Sequence, residues 1–173
     1  MNRKTDSIHI QPTIENDDLA KLLGGQKKKS LSKSIRKKVR TARQKLNKLI
    51  KPSVHYRIVK PSAMDNDVVQ LDETVEFSST QLAKTLKNAE EIVCFVGTIG
   101  TGVENEINRL MGKQQLAEAY ILDAMASVAV ENMIDRFQDL MENKCSAEDR
   151  TVTLRFSPGY CDWPVTQQKK LFD

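Results

Sequence analysis

Three groups of residues carry side chains or backbone able to do chemistry. The first is R-F-S-P-G-Y-C-D-W-P, Arg155 to Pro164. An arginine followed by a Pro-Gly turn and two aromatics brings a guanidinium fork, free backbone groups and flat apolar surface to one place. By composition alone this is equally a structural turn with an arginine clamp. The second group is Asp123 and Glu131, two acids set among apolar and small residues. A carboxylate in low dielectric needs a partner. The pattern fits a helix–helix ion pair, or a Glu131 that accepts a hydrogen bond from an amine-bearing ligand in a pocket formed by the small residues beside it. Taken with Arg155, Glu131 reads as one end of a two-ended grip on a zwitterion, with carboxylate on Arg155 and ammonium on Glu131. The third group is G-T-I-G-T-G, Gly97 to Gly102, between a strand and a helix, where a phosphate could rest on exposed N–H groups. It lacks the Lys-Ser/Thr of a P-loop and is out of register with G-x-G-x-x-G. A tight turn that lets helix and strand approach closely is the favoured reading.

Metal and disulfide chemistry find no support. Cys94, Cys145 and Cys161 are odd in number with no C-x-x-C spacing, and His9 and His55 lie far apart outside any ligand cluster. Free thiols and no metal site are expected. Cys161 reads as a bystander, since no neighbouring base would make it a thiolate.

The elements that must position these groups follow from periodicity. Residues 14–23 read as a short helix, with Asn16 as cap and Gly24-Gly25 as stop. Residues 27–51 hold twelve Lys or Arg in 25 positions and no acid, with Leu31, Ile35, Val39, Ala42, Leu46, Leu49 and Ile50 at helical spacing. This is an amphipathic helix with a strongly positive outer face, ended by Pro52. The stretches 54–59, 68–77 and 90–100 have the β-branched and aromatic content of strands. Between the last two, Ser78 or Ser79 caps a short helix. Helical patterns then run over 101–111 and 113–141. The longer carries Leu116, Ala119, Tyr120, Ala126, Ala129, Val130, Met133, Ile134, Phe137 and Met141 on one broad apolar face. Residues 151–156 read as a final strand, and 166–172 begin another helix.

With 173 residues, 39% hydrophobic and 29% charged, the chain is of ordinary globular composition. The expectation is one α+β domain over 1–173, a mixed or antiparallel twisted sheet packed with long helices. Residues 1–26 form a lead-in with a helix, 27–51 the basic helix and 52–173 the core. The net charge of +4 is too small for a chain-wide polyelectrolyte, so basic character is local to 27–51. No apolar run reaches the roughly 18–20 residues that span a bilayer, and the first residues lack the apolar core of a secretory signal. A cytoplasmic protein without a membrane partner is expected.

Two motifs carry a family resemblance, the helix A-Y-I-L-D-A-M-A-S-V-A-V-E, Ala119 to Glu131, and the turn R-F-S-P-G-Y, Arg155 to Tyr160. With the preceding V-G-T-I-G and the order L-L-G-G, long helix, Y-R-I-V, the chain resembles the activation (reactivation) domain of cobalamin-dependent methionine synthase, in a stand-alone form, over nearly its whole length. The resemblance implies a domain that binds S-adenosylmethionine and serves the remethylation of a corrinoid that has been oxidised to its inactive state. It implies Arg155 on the methionine carboxylate, Glu131 near the amino group, Ser157 and Gly159 along the ligand, and Tyr160 both as a ligand contact and as the catalytic aromatic beside the methyl-transfer site. The cobalamin would come from a partner, a corrinoid-binding methyltransferase protein, because no D-x-H-x-x-G signature is present. A flavodoxin- or ferredoxin-like reductant with an acidic surface is a further implied partner, docking on the basic helix. Two departures stand out: Cys161-Asp162-Trp163 replaces the small residues that usually follow the tyrosine, and the chain stops where family members continue into further strands, which implies a C-terminally shortened member.

The alternative is a non-catalytic binding module whose residues 27–51 engage nucleic acid or an acidic protein. Twelve cations suit a phosphate backbone, yet no aromatic interleaves with them as a stacking platform. Salt separates the readings. Binding of nucleic acid is expected to fall steeply between low and physiological ionic strength, and binding of a small zwitterion much less, as titration at two salt concentrations would record.

Overall fold

The computed structural model describes residues 5–15, 19, 32–71 and 75–172. The fold is mixed α+β, with two small three-stranded sheets and long helices. The chain divides into two compact units. A helical unit comprises Ile8–Val54 and Gly97–Phe137, and a sheet unit Met1–Ser7, His55–Val96 and Gln138–Asp173.

In the helical unit, helix α1 spans Lys33–Leu49. It begins where the Ser32 hydroxyl accepts from the Ile35 N–H at 3.3 Å, a side-chain cap for an otherwise orphaned donor. It ends at Ile50, whose N–H still reaches the Leu46 carbonyl, two residues before Pro52. The basic segment 27–51 is therefore helical over 33–49 among the described residues. Its inner stripe places Ala42 and Leu46 in the core, and Arg43 donates to the Ile14 carbonyl at 2.8 Å. Ile14 and Leu19 are buried in the same core, while most of the helix expected over 14–23 lies outside the described residues.

Helix α3, Gly102–Gly112, starts against the end of α1, where the Lys51 N–H donates to the Ile99 carbonyl at 2.8 Å. A Cβ on Gly102 would stand 2.8 Å from the Leu49 carbonyl oxygen, and one on Gly97 would stand 2.5 Å from Ile134 Cδ1. Close approach of backbone is what these glycines provide.

Helix α4 covers Leu116–Ser146, about 46 Å at 1.5 Å per residue. Within the helical unit Leu122, Met125, Ala129 and Met133 are fully buried. Leu116 and Tyr120, expected on the apolar face, are instead 63% and 58% exposed, whereas Ile121 and Leu122 are inside. Leu116, Tyr120, Asp123, Ser127 and Glu131 form a second stripe at helical spacing that faces outward.

The sheet unit carries most of strands β1 (Asp6–Ile8), β2 (Ser53–Val59) and β6 (Ile92–Thr98), which pair in the order β1-β2-β6. Its second sheet is antiparallel. Strand β3 (Ala63–Met64) pairs with β4 (Val68–Gln70), and β4 with β5 (Glu76–Ser78), Val69 standing opposite Met64 and Phe77. Residues 68–77, read from sequence as one strand, are thus divided between two strands of a hairpin. Helix α2, Thr80–Leu86, begins at Ser79, whose hydroxyl accepts from the Leu82 N–H at 3.0 Å. Val69, Phe77, Leu82, Ala83 and Trp163 form the core, Phe77 and Trp163 meeting edge-to-face with centroids 5.1 Å apart.

Two expectations for the last quarter of the chain are corrected. Residues 151–156 form no strand, and 165–171 wind as a 3₁₀ helix rather than an α-helix. The 3₁₀ segment is held sideways to β5. Gln167 accepts from the Ser78 N–H at 3.0 Å, and Lys170 donates to the Glu76 carbonyl at 2.6 Å.

The contact at Gly102 has a measurable consequence. Alanine near the start of a helix would ordinarily stabilise by up to about 1 kcal/mol over glycine. Here Gly102→Ala is expected to destabilise by about 1–3 kcal/mol, because a backbone oxygen cannot give way as a side chain can. Urea denaturation would show it, and a gain in stability would remove the close-approach argument.

Candidate functional site

The turn from Arg155 to Trp163 is built from its inner side. The Tyr160 N–H donates to the Ser157 carbonyl at 3.2 Å, the Gly159 N–H to the Trp163 carbonyl at 2.7 Å, and the Trp163 N–H to the Tyr160 carbonyl at 3.0 Å. Gly159 and Cys161 take positive φ, 99° and 52°. Trp163 is 6% exposed, and its indole N–H reaches Gln167 at 3.2 Å.

Asp162 anchors the same turn to helix α2. Its carboxylate accepts from the Ser79 hydroxyl at 2.5 Å, the Thr80 N–H at 2.7 Å and the Gln81 N–H at 3.3 Å. The Ser79 hydroxyl, followed by these backbone donors, holds the carboxyl below the usual carboxylate range. Cys161-Asp162-Trp163, which stood out as a departure, is therefore the fastening of the turn: an aspartate at a helix start and a tryptophan in the core. Sequence reasoning missed this role, because the partners of Asp162 at Ser79, Thr80 and Gln81 are distant in the chain.

The outer side holds the sequence-derived site. Arg155, Ser157, Gly159 and Tyr160 are all exposed, Tyr160 at 67%. The Arg155 guanidinium donates to the Gln138 side-chain carbonyl at 3.2 Å. These four residues belong to the sheet unit, while Glu131 belongs to the helical unit. Asp123 and Glu131 are exposed rather than buried, because Ile121, Leu122 and Met125 define the inner face of α4 and both acids fall on the opposite stripe. The small residues Ala124 and Ala129 are buried in the core, so they are not the walls of a pocket around Glu131.

The basic helix is partly neutralised inside its own unit. Glu106 on α3 accepts from Lys45 at 2.6 Å and from Arg109 at 2.6 and 2.8 Å, and Glu118 on α4 pairs with Lys38. The Glu106 side chain is only 15% exposed, and its hydrogen bonds to Arg109 and Lys45 pull its carboxyl down to about 2. In the sheet unit burial pushes the Cys94 thiol up to about 11, opposed weakly by the Arg57 cation, so at neutral pH it is an unreactive thiol. Among the described residues no three His, Cys, Asp or Glu side chains gather to hold a metal ion, and no helix is long and apolar enough to cross a membrane.

No protein-family model matches the sequence and no curated protein is significantly similar to it.

Glu106 contributes to the acid limb of stability. Its folded pKa lies below the ordinary value of 4.5, so its contribution is fully present above about pH 5 and is lost as pH falls toward 2. Glu106→Gln is expected to lower stability at pH 7 by about 1–2 kcal/mol and to flatten the decline between pH 5 and pH 2. Thermal unfolding at a series of pH values would record both; an unchanged acid limb in the variant would refute the assignment.

Proposed function

We propose that this chain binds S-adenosylmethionine at the turn Arg155–Tyr160 and serves the reductive reactivation of a corrinoid-dependent methyltransferase supplied by another chain. The fold is read as that of a relative of the methionine synthase activation domain, working in the cytoplasm. The observation that carries the proposal is the two-sidedness of the turn. Asp162 ties it to the start of helix α2 and Trp163 is buried in the core, while Arg155, Ser157, Gly159 and Tyr160 are exposed.

The donor set suits such a ligand. A planar guanidinium matches a carboxylate in a bidentate manner, and the Ser157 hydroxyl and turn backbone add single hydrogen bonds. Tyr160 supplies an aromatic surface beside the sulfonium. The sulfonium makes the methyl electrophilic when the ligand is bound, and the partner's reduced corrinoid is its acceptor. The residues of this chain therefore have a positioning task and need no acid–base pair. The flavodoxin- or ferredoxin-like electron donor belongs to the same proposal, with the cations of α1 as its docking face. A nucleic-acid role for α1 is the weaker reading, since Lys38, Arg43 and Lys45 are engaged within the helical unit.

Calorimetric titration with S-adenosylmethionine tests the proposal. Binding is expected for the native chain, with Arg155→Ala weakening it about tenfold or more, the scale of one charge-assisted hydrogen bond. Absence of binding, or binding indifferent to Arg155→Ala, would overturn it.

A further inference from the structure

Within the helical unit the surface opens into a groove of about 340 Å³. One wall is a single face of α1, where Ser34, Lys37, Lys38 and Thr41 stand at i, i+3, i+4 and i+7. Residues three and four apart on a helix are neighbours, about 5–6 Å between Cβ atoms. The four therefore make one patch, with hydroxyls at its ends and ammonium groups between them. Lys45 continues the same face one turn further along. The floor is apolar and consists of Ala42, Leu110 and Leu122, all buried. Glu118 occupies the rim and pairs with Lys38. Lys37 is exposed and has no ion pair among the described residues.

We propose that this groove binds a small phosphate-bearing ligand of about mononucleotide size, with the phosphate on the Ser34–Lys37–Lys38–Thr41 patch and the uncharged body along the methylene stems of Lys38 and Lys45 above the apolar floor. Ammonium and hydroxyl groups are the donors a phosphate takes, and lysine binds it as a point charge. The volume lies at the small end of ligand pockets, and an apolar floor beside a polar wall is how such pockets orient a ligand. A nucleic-acid strand would call for aromatic stacking surfaces, and none of the lining residues is aromatic. A cationic sulfonium ligand is a poor match to a wall of ammonium groups. The groove shares no residue with the turn at Arg155–Tyr160, so either proposal can fail without the other.

Glu118 gives the site a signature that a merely structural ion pair lacks. Its carboxylate occupies Lys38, so an arriving phosphate competes with it for that cation. Removing the carboxylate should then strengthen binding, even where it weakens the fold. The experiment is calorimetric titration of the full chain with AMP, adenosine and inorganic pyrophosphate at physiological salt. AMP and pyrophosphate are expected to bind and adenosine not. Lys37→Ala should weaken AMP about tenfold, and Glu118→Gln should tighten it about threefold or more. Lys37 is exposed, so the unfolding midpoint of Lys37→Ala should stay unchanged and separate lost binding from lost folding. The proposal is overturned if AMP binds no better than adenosine, or if neither substitution moves its affinity. It is equally overturned if only a single-stranded oligonucleotide binds, with an affinity that falls steeply with salt, which would make α1 a nucleic-acid surface.

Discussion

Burial of one stripe of α4 is the constraint on which the helical unit rests. A 31-residue helix of this composition has little stability of its own in water, where tertiary packing of an apolar face supplies most of it. Leu122, Met125, Ala129 and Met133 recur at i, i+3, i+7 and i+11 and are fully buried. Burying one large apolar side chain stabilises by about 1.5–3 kcal/mol, so this stripe outweighs any single polar contact in the unit. Once it faces inward, the rotation of the helix is settled. Leu116, Tyr120, Asp123, Ser127 and Glu131 are then carried outward together, whatever their individual hydropathy.

The sheet unit depends on a smaller core and so leans on hydrogen bonds. Helix α2 has seven residues, too few to persist alone. Its start is satisfied twice, by Ser79 from its own chain segment and by Asp162 from a turn 83 residues away in sequence. Trp163, next to that aspartate, stacks its edge against Phe77 in the core. Cap and core are thereby joined through adjacent residues.

Electrostatics constrains α1 in a different way. Many like charges on one helix repel, and the fold sets Glu106 and Glu118 from two other helices against Lys45 and Lys38. Part of the positive face is thus internal structure. What is left for a ligand or partner is narrower than the composition of 27–51 implies: Lys37 with its neighbouring hydroxyls, and the exposed cations of the outer face.

Local elements were legible in the sequence wherever periodicity and caps coincide. The amphipathic run of α1 with Pro52 beyond it, the Ser79 cap of α2, the glycine turn between β6 and α3, and the β-branched run of β6 all belong to this class, because each is decided by neighbours within a few residues. Segment 151–156 marks the limit of such local evidence. Its composition suits a strand, but a strand exists only if a partner edge is present, and pairing is decided by residues distant in sequence. The two-residue β3 has too little pattern to be seen at all. In the candidate site, the residue types at Arg155, Ser157, Gly159, Tyr160 and Glu131 could be read directly. Three things could not: that Asp162 and Trp163 hold the turn, that Glu131 faces outward, and that Lys38 and Lys45 are already paired. Each turns on which side of a helix or turn meets another element, and that is a property of packing, which only the tertiary structure decides.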